Sequence, residues 1–186
     1  IEGDPQHRVD DTAQKDRQLQ ASEHAPELAH IDDHGEARMV DITSKPESKR
    51  TAVARGRVMM QRATLELVDK EALPKGDVFT VARIAGIMAA KRTADVIPMC
   101  HPVPVTGIDV RLWPSWDPCA IEIEATVTTK AATGVEMEAL NAVSAAALTV
   151  YDMCKSAERG MKIDGVRLVK KTGGVRGDYI RDDEGV

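Results

Sequence analysis

Aromatic side chains are nearly missing from this chain of 186 residues, which has one Phe, two Tyr and two Trp. Single-stranded nucleic acid is held largely by bases stacked on aromatic faces, so a platform of that kind is excluded. An excess of positive charge is missing as well. The 25 Lys and Arg stand against 30 Asp and Glu, a formal net charge of −5, which argues against a general polyanion binder. No apolar run reaches the roughly 18 residues of a membrane-spanning helix, and no secretory leader is read at the start. Nucleic-acid and membrane partners are therefore not expected. Cysteine is sparse. Cys100, Cys119 and Cys154 are widely spaced and form no CxxC pair, so neither a disulfide framework nor a structural zinc site is expected, and the expected compartment is the reducing cytoplasm.

What is present suits one folded domain with acidic ends. Hydrophobic residues make up 42% and charged residues 30%. Residues 1–28 hold seven acids and three bases, and their few apolar residues show no period, so they read as a disordered acidic tail. The domain is expected over 29–179, with a second acidic tail at 180–186. Residues 178–186 carry −3, which leaves 29–177 at +2.

Periodicity outlines the elements. Residues 52–60 put Ala52, Ala54, Gly56, Val58 and Met60 on one side of a strand. A short helix follows near 62–71. Asp77 can cap a helix to about Arg92, with Val81, Ile84, Ala85 and Met88 as its apolar stripe. Residues 106–112 alternate as a strand, 113–118 read as a turn-rich connection, and 120–129 alternate cleanly as a half-buried strand. Thr133 and Glu136 have capping-box spacing before a helix expected to run to about Arg159. A last strand is expected near 163–171. This order suggests an α+β fold of the ferredoxin-like split βαβ kind, an antiparallel sheet with helices packed on one face. The bare face would be solvated by Glu122, Glu124, Thr126 and Thr128, or covered by a second subunit.

Several segments hold chemistry-bearing residues. In Pro98-Met99-Cys100-His101-Pro102, prolines hold in place a His that titrates near neutrality. The segment reads either as a catalytic or substrate-binding loop or as a small core Cys beside a satisfied His. No metal site is expected, because further ligands at metal spacing are lacking. Asp152 and Lys155 share a helix face, as a surface ion pair or as an acid/base pair. Lys75-Gly76-Asp77 precedes a helix N-terminus, where an anion is favoured, although capping by Asp77 explains it equally. Glu136 has a capping job to do, whereas Glu138 is free to hydrogen-bond a heterocycle. Lys170–Gly177 mixes bases with a Gly-rich turn that could cradle phosphate, but it lacks the P-loop order. Glu138 and Asp152, 14 residues apart on one expected helix, are separated by about 21 Å. Both cannot touch one small substrate within a single chain.

Taken in order, Met39-Val40-Asp41, Lys75-Gly76-Asp77, Ile97-Pro98-Met99-Cys100-His101-Pro102, Thr133-Gly134-Val135-Glu136-Met137-Glu138 and Tyr151-Asp152-Met153-Cys154-Lys155 closely resemble the molybdenum cofactor biosynthesis protein C family, the cyclic pyranopterin monophosphate synthases. His30-Ile31-Asp32 extends the match toward the start. The resemblance implies a ferredoxin-like subunit in a homo-hexamer, a trimer of dimers, with sites between subunits. It implies conversion of 3′,8-cyclo-7,8-dihydroguanosine 5′-triphosphate to cyclic pyranopterin monophosphate, with release of pyrophosphate.

By the same resemblance, Asp152 is the catalytic acid/base, and Lys75 and Lys155 assist proton transfer and bind phosphate. Met99, Cys100, His101, Met137 and Glu138 line the pocket, with Glu136 beside them. Asp41, Arg50 and Lys171 complete the substrate contacts. Many members read Gly-Gly-Lys-Ser-Gly where this chain has Gly173-Gly174-Val175-Arg176-Gly177, so the positive charge sits one place later, on Arg176. No cofactor is expected to be required, although Mg2+ could accompany the triphosphate. A ferredoxin-like nucleotide- or RNA-binding module without catalysis, and a purely structural assembly protein, are the competing readings.

Overall fold

A computed structural model of the chain describes residues 38–174 and 177–183. The expected disordered tail over 1–28, the His30-Ile31-Asp32 segment and Arg176 lie outside the described residues. Asp41–Val186 form one compact unit.

Five strands form one antiparallel sheet: β1 (Ser48–Met59), β2 (Val105–Trp116), β3 (Cys119–Ala131), β4 (Lys162–Thr172) and the short β5 (Tyr179–Ile180). Their order across the sheet is β2-β3-β1-β4-β5. The first four strands and two long helices reproduce the expected split βαβ plan. β5 adds two residues to the β4 edge, so Ile180 is still paired, opposite Lys170.

Alternation along the central strands assigns the two faces. Ala52, Ala54 and Val58 of β1 and Ile121, Ile123, Ala125 and Val127 of β3 are buried under the helices. Burying one such branched side chain is worth about 1.5–3 kcal/mol, so a one-residue slip in register would be costly. The opposite face carries charge. Arg55 and Arg57 pair across the strands with Glu124 and Glu122 at 2.6 and 3.4 Å, and Thr51 and Thr128 share a 3.3 Å hydrogen bond.

Among the described residues, three helices lie between β1 and β2, α1 (Arg62–Asp69), α2 (Val78–Ala90) and the single-turn α3 (Thr93–Val96), and α4 (Glu136–Cys154) lies between β3 and β4. α4 lies across β1, β3 and β4, and α2 packs beside it over β2. Lys75, just before α2, reaches Asp152 near the end of α4, while Asn141 near the start of α4 reaches Ala89 at the end of α2. The two helices therefore run antiparallel.

Three local expectations are corrected. First, α2 buries Val78, Ala82, Gly86 and Ala90, whereas Val81, Ile84 and Met88 of the expected stripe are exposed. Small residues win because α2 lies very close to α4: a Cβ on Gly86 would stand 3.0 Å from the Ala142 carbonyl oxygen. Facing it, α4 buries Ala139, Ala142 and Ala146. Second, β2 continues through Trp113–Trp116, with a two-residue turn at Asp117-Pro118. Pro114 is tolerated there because β2 is an edge strand, which can spare one N–H. Third, α4 is shorter at both ends than expected. Val135 occupies the N-cap position with no side-chain cap, and Glu136 is drawn instead to Lys171. At the other end the chain turns at Lys155, where the Ala157 and Glu158 amides close on the Cys154 carbonyl. Asp77, by contrast, caps α2 as expected, accepting from the Thr80 amide at 3.0 Å.

Candidate functional site

The residues singled out in the sequence gather into two groups, one at each end of α4. At the C-terminal end, Asp152 bridges two lysines. Lys75 Nζ lies 2.7 Å from Oδ2 and also donates to the Asp152 carbonyl oxygen at 2.9 Å, and Lys155 Nζ lies 2.7 Å from Oδ1. The reason is local geometry. Lys155 sits one turn beyond Asp152, and the turn through Gly76, at φ +86°, swings Lys75 across from the start of α2. Hydrogen bonds from Lys155 and Lys75, reinforced by their charge, lower the Asp152 pKa to about 2. All three side chains are about half exposed, so the cluster is open to a ligand.

The N-terminal end is built differently. Glu138 is buried, with 2% of its surface exposed. Its Oε1 faces the Cys100 thiol at 3.7 Å, and Oε2 meets no hydrogen-bond donor among the described residues. Burial raises the carboxyl pKa. Burial first, then the charge and hydrogen bond of Glu138, push the Cys100 thiol up to about 11, so it is protonated at neutral pH. Cys100 is thus no ready thiolate nucleophile. Met99 and His101, its neighbours in the loop, are half-buried. Asp41 accepts from the amide and hydroxyl of Thr43 at 2.8 and 2.6 Å; these bonds, with a smaller contribution from the nearby His101, lower its pKa.

A third set of contacts braces this end. Lys171 donates to Glu136 Oε1 at 2.9 Å. Arg50 is buried and sends Nε and Nη2 to the carbonyl oxygens of Ala131 and Ala132, at 2.9 and 3.0 Å, which holds the segment leading into α4. Gly173 and Gly174 take positive φ, and a Cβ on Gly174 would collide with the Arg50 guanidinium. The Gly173 amide donates to Asp178 Oδ1 at 3.0 Å, so that donor of the expected phosphate cradle is already engaged. Met137 is partly exposed at the same end.

The structure therefore joins Lys75 with Asp152 and Lys155, joins Cys100 with Glu138, and joins Glu136 with Lys171. It does not join the two ends, because Glu138 and Asp152 both lie on the continuous helix α4, about 21 Å apart along its axis. Reasoning from sequence missed Gly134, where a Cβ would overlap the Glu136 carboxylate, and Thr43, which engages Asp41. Gly134 beside an acid two residues on is a faint signal. Thr43 carries the ordinary signal of a hydroxyl two residues after an Asp. Among the described residues, no three His, Cys, Asp or Glu side chains are grouped to hold a metal ion, and no helix is long and apolar enough to cross a membrane.

Comparison with known proteins bears directly on this geometry. Residues 39–174 match the MoaC family model. A cyclic pyranopterin monophosphate synthase of Thermomicrobium roseum is 55% identical over 158 residues, covering 85% of this chain and 95% of that protein. The enzyme of the same name from Parvibaculum lavamentivorans is 55% identical over 155 residues, covering 83% and 97%. That from Chloroflexus aurantiacus is 56% identical over 160 residues, covering 86% and 98%.

Proposed function

The chain belongs to the MoaC family, and from that premise we propose that it is a cyclic pyranopterin monophosphate synthase of molybdenum cofactor biosynthesis. It converts 3′,8-cyclo-7,8-dihydroguanosine 5′-triphosphate to cyclic pyranopterin monophosphate and expels pyrophosphate, a lyase reaction. The observation that carries this reading is the Lys75–Asp152–Lys155 cluster. It is an exposed site with two ammonium groups and one carboxylate, suited to phosphate charge and to proton transfer.

The residues divide the work. Opening an imidazole-type ring and reclosing it as a pterin requires several proton transfers. Asp152, held near pKa 2 by its lysines, carries no proton at neutral pH and is a weak base as it stands. Phosphate oxygens that compete for Lys75 and Lys155 restore its basicity, so binding and proton transfer are linked. The same ammonium groups stabilise the charge that develops on the departing pyrophosphate. Glu138, Cys100, His101, Met99 and Met137 form the wall that receives the base. A buried carboxyl with one oxygen lacking a donor is a strong acceptor for ring N–H groups. Glu136, Lys171, Arg50 and Asp41 complete the substrate contacts, with Arg50 also holding the segment before α4.

The separation along α4 supports a site completed by another copy of the chain, in a homo-hexamer built as a trimer of dimers. The cytoplasm is the compartment that suits three free cysteines. Mg2+ is proposed to accompany the triphosphate, whose oxygens suit it, and no resident cofactor is assigned. Incubating the pure protein with the cyclic dihydro-GTP substrate is expected to release pyrophosphate and yield a pterin. Failure of an intact assembly to turn the substrate over contradicts the proposal.

A further inference from the structure

The segment running from the end of α2 through α3 to Cys100 and His101 meets α4 at two points. One is the Cys100–Glu138 contact described above. The other lies one helical turn further on, at Asn141, which shares a face of α4 with Glu138. Asn141 Nδ2 donates to the Ala89 carbonyl oxygen at 2.9 Å and to Thr93 Oγ1 at 3.2 Å, using both of its N–H groups. Thr93 is 2% exposed, and its hydroxyl donates into the carbonyls of Ala89 and Ala90 at 3.3 and 3.2 Å. These carbonyls belong to the last turn of α2; that of Ala89 also accepts the Arg92 amide at 3.0 Å. From Thr93 the bonding continues along the backbone: the Ile97 amide donates to the Thr93 carbonyl at 2.9 Å, and the Cys100 amide to that of Ile97 at 3.1 Å. A short chain of hydrogen bonds thus runs from α4 through Thr93 to the backbone of Cys100.

We propose that Asn141 and Thr93 are a positioning pair that sets where Cys100 and His101 stand against Glu138, and through that placement the turnover of the enzyme. The proposal rests on the reading of the Cys100–His101 loop as part of the substrate site. A pair that merely satisfied the end of α2 would contribute to global stability alone. A positioning pair loosens one loop selectively and lowers kcat more than it changes KM.

Two readouts separate these cases. The first is alkylation by iodoacetamide, followed at each cysteine by peptide mass spectrometry, and it needs no substrate. In Thr93→Val and in Asn141→Leu, Cys100 is expected to react about tenfold faster, while Cys154, buried at the far end of α4, keeps its wild-type rate. Thr93→Ser, which retains the hydroxyl, is expected to behave as the wild type. The second readout is turnover. Each of the two disruptive variants is expected to lose about tenfold in kcat at similar KM, and the double variant to lose no more than either alone.

Cys100 reacting at its wild-type rate in both variants overturns the proposal. So does a parallel rise at Cys100 and Cys154, which marks general loosening, and so does faster labelling with kcat unchanged. If the wild type itself fails to turn over the cyclic dihydro-GTP substrate, the synthase reading falls. The labelling then still decides whether the pair holds the loop.

Discussion

Glu138 and Asp152 are carboxylates on the same helix, and their surroundings push them in opposite directions. Asp152 stands in the open between Lys75 and Lys155, and its pKa falls to about 2. Glu138 is buried, one of its oxygens meets no donor among the described residues, and its pKa rises. One end of α4 is a charged, solvated cluster, proposed to take up phosphate. The other is a buried carboxyl facing a thiol, the wall proposed to receive the heterocycle. The contrast assigns different costs to damage at each end. On the proposed reading the exposed end contributes little to stability and much to chemistry, whereas the buried end is part of the packing.

The contrast can be broken most sharply at Asp152. Asp152→Ala, or Lys75→Ala, is expected to lower turnover by about 10²–10⁴ while the thermal midpoint moves by no more than about 1 °C. A larger loss of stability in either variant would erase the distinction between the ends. At the buried end, Glu138→Gln is expected to lower turnover by about tenfold to a hundredfold and to stabilise the protein at neutral pH by about 1 kcal/mol. The pH dependence has a definite sign. A carboxyl whose pKa is raised by folding binds its proton more tightly in the native state. The wild type therefore loses stability as pH rises above the ordinary value of 4.5. Glutamine does not titrate, so the advantage of the variant should grow between about pH 4 and about pH 7.5. Urea denaturation at both values measures it, and an advantage independent of pH would show that Glu138 is not destabilised by ionisation. The smallest effect is expected at Gly134→Ala. The added Cβ forces the Glu136 carboxylate away from Lys171, a largely buried pair, at a cost of about 1 kcal/mol in chemical denaturation.

The central strands were legible because half-burial writes an alternation into β1 and β3. The helices were legible in place but not in orientation. Hydrophobicity ranks Val81, Ile84 and Met88 above Ala82, Gly86 and Ala90, yet the close approach of α4 leaves room only for the small residues. The start of α4 misled for a related reason. A capping box is a local pattern, but Glu136 answers to Lys171, 35 residues away in sequence. The candidate site follows the same division. Asp152 with Lys155 is a pair within one helix turn, readable from spacing. Lys75 joining it, and Cys100 joining Glu138, depend on how α2 and its flanking loops dock on α4. The Asn141–Thr93 contact left no mark in the sequence, because an Asn within a helix and a Thr starting a short one are ordinary residues in ordinary places.

The central claim is that the two ends of α4 belong to one site contributed by different copies of the chain. The most direct test mixes two crippled variants, Glu138→Gln and Asp152→Ala, by co-refolding them into common assemblies. If each site takes its buried wall from one chain and its lysine cluster from another, random mixing in equal amounts restores about a quarter of wild-type turnover, because that share of sites holds two intact halves. Activity that stays at the level of the two separate variants, in assemblies shown to contain both chains, would contradict the account.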